Sequence, residues 1–352
     1  MDLDQNKTNK IDIKEMTLPE LKEEMKKLGE PAFRAGQVYD WLHVRCVRSF
    51  DEMTNLSKAL RSKLNEEYDA VVLKQEALQV SAIDGTRKYL FELPDGNFVE
   101  SVWMDYKFGA SVCISSQVGC RMGCKFCAST LDGLERGLKA SEMLDQIYAI
   151  TADTGKRVSH VVIMGTGEPL DNYDNVVRFL RMLTDENGLN ISQRDVTLST
   201  CGIVPNIKRL AEEDLSINLA ISLHAPTDEK RKKLMPIANQ YSIAELMDAC
   251  KYYFEKTGRR ITFEYSLVAG QNDNKEEAEE LASLVSPLNC HVNLIPVNPV
   301  KECGLPGSSR ERAGEFAKWL EKKRIQVTVR REMGRDIDGA CGQLRRRHAD
   351  KT

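Results

Sequence analysis

The chain has no stretch approaching the ~20 consecutive apolar residues needed to cross a bilayer. Its first ten residues, Met1 to Lys10, are polar and mixed in charge, unlike a secretory leader. The expected compartment is therefore the cytoplasm. Charge of one sign is also lacking. With 50 Lys and Arg against 53 Asp and Glu, the formal net charge is −3, so no global field favours nucleic acid, and any such partner must be held by local patches. Without an export signal, the ten cysteines have no oxidising compartment in which to build a disulfide scaffold; free thiols and metal ligation are expected instead. Apolar residues are not scarce. They make up 41% of 352 residues, which excludes a disordered chain and suffices for one large domain with a small appendage.

Three of the cysteines stand together in Cys120-Arg-Met-Gly-Cys124-Lys-Phe-Cys127, spaced C-x3-C-x2-C with no fourth ligand in the run. A structural zinc site closes on four ligands, whereas an iron–sulfur cluster held by three thiolates leaves one iron open for something else. Ordinary buried cysteines, or a zinc knuckle completed by Cys113 or His160, are the alternatives. Packing cysteines follow a helical or strand period; these sit among Gly119, Arg121, Gly123 and Lys125, a polar, glycine-bearing loop. The cluster is the preferred reading.

Thr17-Leu-Pro-Glu20 has the form of a capping box. Leu21, Met25 and Leu28 follow at a helical period, and Gly29 stops them. Two more helices are expected over about 33–44, burying Val38, Trp41 and Leu42, and over 56–68. Residues 1–70 thus read as a small helical accessory domain. Arg34, Arg45, Arg48, Lys58, Arg61 and Lys63 in it, and Arg345 to Arg347 near the C-terminus, are the basic patches. Residues 71–105 turn to β texture, with strands 87–93 and 97–103 flanking Pro94-Asp-Gly96 as a hairpin. Residues 106–336 alternate strand and helix. The strands are 110–115, 160–164, 196–200, 217–223, 261–267 and 291–296, with 326–330 as a later edge. The helices are 141–154, 174–183, 205–213, 243–256, 275–285 and 310–323. The fold class is α/β, a parallel sheet with right-handed crossovers. Six units are too few for the eight-stranded barrel, so a partial (β/α)6 barrel is expected. Residues 337–352 form a small-residue loop that carries Cys341.

In such a barrel, chemistry sits at the C-terminal ends of the strands. The cysteine loop follows the first strand, Gly165-Thr-Gly-Glu-Pro169 the second, Ser199-Thr-Cys-Gly202 the third, Ser222-Leu-His224 the fourth, and Asn298-Pro299 the sixth. Gly167 permits close backbone approach and Glu168 offers an acceptor of opposite charge, a pair suited to an ammonium group. Ser199 and the Ser222 to His224 edge suit a ribose and an adenine.

These loops resemble the RlmN/Cfr family of the radical S-adenosylmethionine superfamily over nearly the whole chain. The resemblance rests on Gly29-Glu-Pro-Ala-Phe-Arg-Ala-Gly-Gln37, Cys113-Ile-Ser-Ser-Gln-Val-Gly-Cys120, Met164-Gly-Thr-Gly-Glu-Pro-Leu170, Ser222-Leu-His224 with Leu234-Met-Pro236, and Asp338-Gly-Ala-Cys-Gly-Gln-Leu344. It implies a radical methyltransferase acting on carbon 2 of an adenine in the peptidyl-transferase centre of 23S rRNA, before ribosome assembly is complete, and of the adenine following the anticodon in some tRNAs. It implies Cys120, Cys124 and Cys127 as ligands of one [4Fe–4S] cluster per chain. Gly167, Glu168, Ser199, Ser222, Leu223, His224 and Asn298 become S-adenosylmethionine contacts, with two cofactor molecules used per turnover. Cys341 becomes the methyl carrier, Glu100 the general base, and Cys113 the thiol that pairs with Cys341. An electron donor such as flavodoxin or ferredoxin and a monomeric enzyme are further implications.

Read without the family, Cys341 is a chance free thiol and Glu100 a solvent-side strand residue. Cys46, Cys201, Cys250, Cys290 and Cys303 are read as ordinary cysteines. The sequence departs from the family at Thr166, where a methionine is frequent, which bears on cofactor packing alone. Two other functions are open: methylation of carbon 8 of the same adenine, and a non-catalytic zinc-dependent RNA-binding module. Pro169 and the 29–37 segment favour the carbon-2 enzyme over the first.

Overall fold

The structure, a computed structural model, describes residues 10–70, 72–296 and 306–337, together with residues 344, 345 and 348. Thr17 opens helix α1 (Leu18–Lys27) as expected, its amide and hydroxyl both donating to Glu20 at 2.8 Å. Helices α2 (Phe33–His43) and α3 (Lys58–Glu67) follow, and a short parallel pair, β1 (Ile11–Asp12) with β2 (Tyr68–Asp69), ties the ends of this segment. Leu21, Met25, Val38, Leu42, Leu60 and Leu64 are buried in a core of their own, separate from that of the large sheet. Trp41, expected inside, lies at its edge, where its indole donates to Asn55 and its ring lies under Arg45.

The large sheet begins with an antiparallel meander, β3 (Lys74–Val80), β4 (Arg87–Glu92), β5 (Phe98–Tyr106) and β6 (Gly109–Ile114). The expected hairpin is its middle. Strand β3 escaped the sequence reading because it is an edge strand, half exposed and without apolar alternation. A separate ribbon of β7 (Gln117–Gly119) and β8 (Leu134–Gly137) precedes helix α4 (Ala140–Thr154). The chain then alternates through β9 (Val158–Ile163), α5 (Tyr173–Leu183), β10 (Val196–Thr200), α6 (Val204–Ala211), β11 (Asn218–Ser222), α7 (Asp228–Leu234), α8 (Ile243–Thr257), β12 (Ile261–Leu267), α9 (Lys275–Val285), β13 (Cys290–Pro296), α10 (Arg310–Lys322) and β14 (Val327–Val329). All pairs from β6 through β9 to β14 are parallel, and the order β14-β13-β12-β11-β10-β9-β6-β5-β4-β3 does not close. This is the partial barrel, with its antiparallel extension in the same sheet. Helix α7 was not anticipated: Asp-Glu-Lys-Arg-Lys-Lys-Leu has almost no apolar period to read. Among the described residues no helix is long and apolar enough to cross a membrane.

The N-terminal helices join the barrel through buried polar contacts on α4. Lys14 Nζ lies 2.7 Å from Asp145, with side chains only 1% and 4% exposed, and the other Asp145 oxygen accepts the Leu73 amide at 2.6 Å. His43 Nδ1 meets the Tyr148 hydroxyl at 2.7 Å. Removing one partner of such a pair leaves a buried charge, at a cost of about 3–5 kcal/mol. Lys14→Met is accordingly expected to lower unfolding stability by about that much, and Lys14→Met combined with Asp145→Leu to recover part of it. Urea titration checks this; an unchanged midpoint in the single variant contradicts it.

Candidate active site

The ends of β6 and β9 are stitched together before any functional group is placed. Gly165 N donates to Ile114 O at 3.0 Å, and the amides of Ser116 and Gln117 both reach Thr166 O. Gln117 Oε1 accepts the Glu168 amide at 2.8 Å. Gly167 sits at φ +115°, and a Cβ there would stand 2.7 Å from Gln117 Cβ, so this crossing admits only glycine. Thr166 is buried and its hydroxyl faces Ser129 Oγ at 3.4 Å. It packs under the cysteine loop and does not line the cavity described below.

The cysteine loop hangs between β7 and β8. Gly119, at φ +75° where the ribbon slips register, has no room for a Cβ against the Gly133 carbonyl, and Cys120 N donates to that same carbonyl at 2.8 Å. Thr130 Oγ1 donates to the carbonyls of Cys124 and Cys127, and Lys125 N to Leu234 O. The loop is less polar than its sequence implied: Met122, Cys124 and Phe126 pack on Cys201, Leu234 and Met235 in a small apolar cluster. Burial, with the nearby Cys127 and Glu168 charges, pushes the Cys120 thiol up to about 12. Burial likewise raises that of Cys124, with Cys127 and Cys120 adding to it. Such thiols become thiolates when a cationic centre offsets their mutual repulsion.

Cys120, Cys124 and Cys127 line a cavity of about 340 Å³ with Gly167, Glu168, Ser199, Ser222, His224 and Cys113. Among the described residues, no three ligating side chains are already gathered for a single ion; the thiols lie along the cavity wall. Glu168 is buried, and its carboxylate accepts from Leu170 N, Thr200 Oγ1 and Cys201 N at 3.0, 2.7 and 2.7 Å. Burial raises its pKa while these donors oppose the shift. Ser199 Oγ donates to Glu264 Oε2 at 2.7 Å. His224, at φ +58°, is buried, and its Nδ1 accepts Ser266 N at 2.9 Å. Burial holds it neutral, its pKa lowered to about 3, so the ring proton is on Nε2. Phe126 meets this ring edge-on at 4.7 Å. Leu223 is buried and outside the cavity lining; its amide donates to Glu264 O.

Among the cavity residues that sequence reasoning missed are Glu264, Cys201 and Lys88. Glu264 is a lone carboxylate inside a largely apolar parallel strand, which is itself a signal, since buried charge is rarely retained without use. Cys201, read as an ordinary cysteine, lines the cavity and gives its amide to Glu168. Lys88 lines the cavity with its side chain 0% exposed and pairs with Glu100 at 3.0 Å. Glu100, which read alone as solvent-side, is 3% exposed, on the face of β5 that it shares with the cavity-lining Val102 and Met104 but itself outside the cavity lining. Its other oxygen accepts Arg345 N at 2.7 Å. Buried Arg231, on α7, donates to Cys201 O and Leu223 O and so fixes the ends of β10 and β11. Cys341, Asn298 and Cys303 lie outside the described residues.

The model of the radical SAM superfamily matches residues 114–285, and that of the ribosomal RNA large subunit methyltransferase N-terminal domain matches residues 11–69. The chain is 60% identical to a probable dual-specificity RNA methyltransferase RlmN of Lachnoclostridium phytofermentans, over 99% of this chain and 98% of that protein. It is 61% identical to the protein of the same name from Lachnospira eligens, over 96% and 97%. A radical SAM methyltransferase from Sphaerobacter thermophilus of known crystal structure superposes with a TM-score of 0.91 at 42% identity, covering 95% of this chain and 98% of that one. Three thiols, an acidic cradle and hydroxyl-bearing strand ends on one cavity fit a cluster and S-adenosylmethionine together. The chain belongs to the RlmN family of radical SAM methyltransferases, enzymes that carry a [4Fe–4S] cluster and use S-adenosylmethionine.

Proposed function

We propose that this enzyme methylates carbon 2 of an adenine in the peptidyl-transferase centre of 23S rRNA and of the adenine following the anticodon in some tRNAs. The observation that carries this reading is the meeting of Cys113 with Cys120, Cys124, Cys127 and Glu168 in one cavity, which brings a non-ligand thiol next to the cofactor site. Carbon 2 lies between two ring nitrogens and is too electron-poor to attack a methyl cation equivalent, so polar transfer is closed. When bound, the cluster and S-adenosylmethionine supply the methyl group and the hydrogen-abstracting power that makes it reactive.

The chain's own residues do the rest. Cys120, Cys124 and Cys127 hold the cluster. Gly167 and Glu168 receive the cofactor's ammonium; Ser199, Ser222 and His224 border its nucleoside, and the family resemblance adds Leu223 and Asn298 as contacts. Cys341 carries the methyl as a thioether. Glu100 takes the carbon-2 proton, and Cys113 attacks the Cys341 sulfur to free the RNA. The disulfide so formed needs external reduction each cycle, and flavodoxin or ferredoxin is a suitable donor for the cluster. We further propose a cytoplasmic monomer that meets rRNA before assembly is complete.

The N-terminal helices would face RNA with fewer free cations than their sequence offers. Arg45 is paired with Asp40 and Arg48 donates to Leu73 O, whereas Arg34 lies beside the exposed ring of Phe33. Anaerobic incubation with S-adenosylmethionine, a reductant and protein-free rRNA, followed by mass spectrometry of the digest, tests the function. 2-Methyladenine is the expected product. 8-Methyladenine would make this the carbon-8 enzyme, and an unmodified digest despite an intact cluster would remove the reading.

A further inference from the structure

Strands β4, β5 and β6 set Lys88, Val102 and Cys113 in one row, since Lys88 pairs with Val102 and Val102 with Cys113. Glu100, two residues before Val102 on the same strand, projects from the same face. That face is the inner wall of the barrel: Lys88, Val102 and Cys113 all line the cavity. The Lys88 ammonium and the Glu100 carboxylate meet at 3.0 Å with exposures of 0% and 3%. Arg345 N holds the second carboxylate oxygen. A pair this deep is a poor source of stability, because desolvation of both charges offsets their attraction, and apolar replacements of similar volume are often as stable or more so. Its presence on a reactive wall calls for another use.

We infer that Lys88 is the positioning residue for Glu100. Its ammonium pairs with the carboxylate and turns it along the wall that carries Cys113, so that a proton acceptor stands on the same face of the sheet as the resolving thiol. Lys88 exchanges no atom. The carbon-2 proton passes to Glu100, while the electron pair of the broken C–H bond stays with the adenine ring. The inference rests on the reading of Glu100 as the base. The arrangement has a second consequence. Because Glu100 is held by Lys88 on one side and by Arg345 N on the other, the base is tied to the chain four residues beyond Cys341, the methyl carrier.

The test uses the full-length, cluster-loaded enzyme and three readouts: methyl loading of the protein, denaturation-resistant protein–RNA species, and methylated product. Lys88→Met is expected to load its methyl normally, form product on the order of 100-fold more slowly, and accumulate the same stalled species as Glu100→Gln. Lys88→Arg should restore most of the turnover. Lys88→Gln, which keeps a hydrogen-bond donor for Glu100, should fold and load methyl even where the methionine variant does not, and should still stall. Wild-type turnover in Lys88→Met or Lys88→Gln while Glu100→Gln stalls overturns the role of Lys88 and leaves the base intact. Normal turnover in Glu100→Gln removes the base reading, and this inference with it. Loss of methyl loading in all three Lys88 variants makes the pair structural and also overturns the inference.

Discussion

Cys120→Ala, Cys124→Ala and Cys127→Ala are each expected to leave the enzyme without an intact cluster and to reduce S-adenosylmethionine cleavage to background, while the barrel stays folded. Three thiolates are the fewest that hold a cluster with one open iron, so none of the three is spare. The fold should survive because the loop hangs outside the main sheet, held by the β7 and β8 ribbon and the Cys120 amide, contacts that alanine keeps. Cys124 belongs to the small apolar cluster with Met235 and Leu234, so its loss should cost about 1 kcal/mol of local packing. Iron and sulfide analysis after anaerobic purification, with far-ultraviolet circular dichroism as the folding check, measures both parts. Wild-type iron and cleavage in any variant removes that residue from the ligand set. Zinc at one per chain, with neither iron nor sulfide in the unmutated protein, would instead identify a closed zinc site.

The architecture was legible because its signals are periodic. Apolar residues recur at three and four in α4, α5, α8, α9 and α10, and the buried parallel strands between them read as short apolar runs. Elements without a period were lost: β3 on the sheet edge and the charged helix α7. The site was legible where glycine or cysteine marked a loop, as at Gly167 and Cys120. It was not legible where a polar residue faces inward from a strand. Lys88 and Glu100 look like solvent-side residues in a linear alternation, and only the curvature of the sheet turns their face inward, Lys88 onto the cavity and Glu100 against Lys88. The same geometry explains Lys14 and Asp145, two charges remote in sequence whose pairing depends on how the N-terminal helices meet α4.

Cys113→Ala is expected to stop the reaction at a different point from Cys341→Ala, and the difference separates two thiols that composition cannot distinguish. Cys113 is 6% exposed on β6, between Val102 and Val162 of the neighbouring strands, and lines the cavity. A thiol so placed is well situated to attack a sulfur brought into the cavity, since thiol–disulfide chemistry is governed by access and alignment. With Cys341 as carrier, Cys341→Ala should neither become methylated nor yield product. Cys113→Ala should load its methyl and bond to the adenine, then stall, because the thiol assigned to release Cys341 is gone. Its signature is a protein–RNA species that survives denaturation, maps to Cys341, and is absent from the Cys113→Ala/Cys341→Ala double variant. Denaturing electrophoresis with labelled RNA and peptide mapping measures this directly. Normal turnover by Cys113→Ala, or an adduct on any other residue, would remove both assignments and leave Cys113 as a packing residue of the cavity wall.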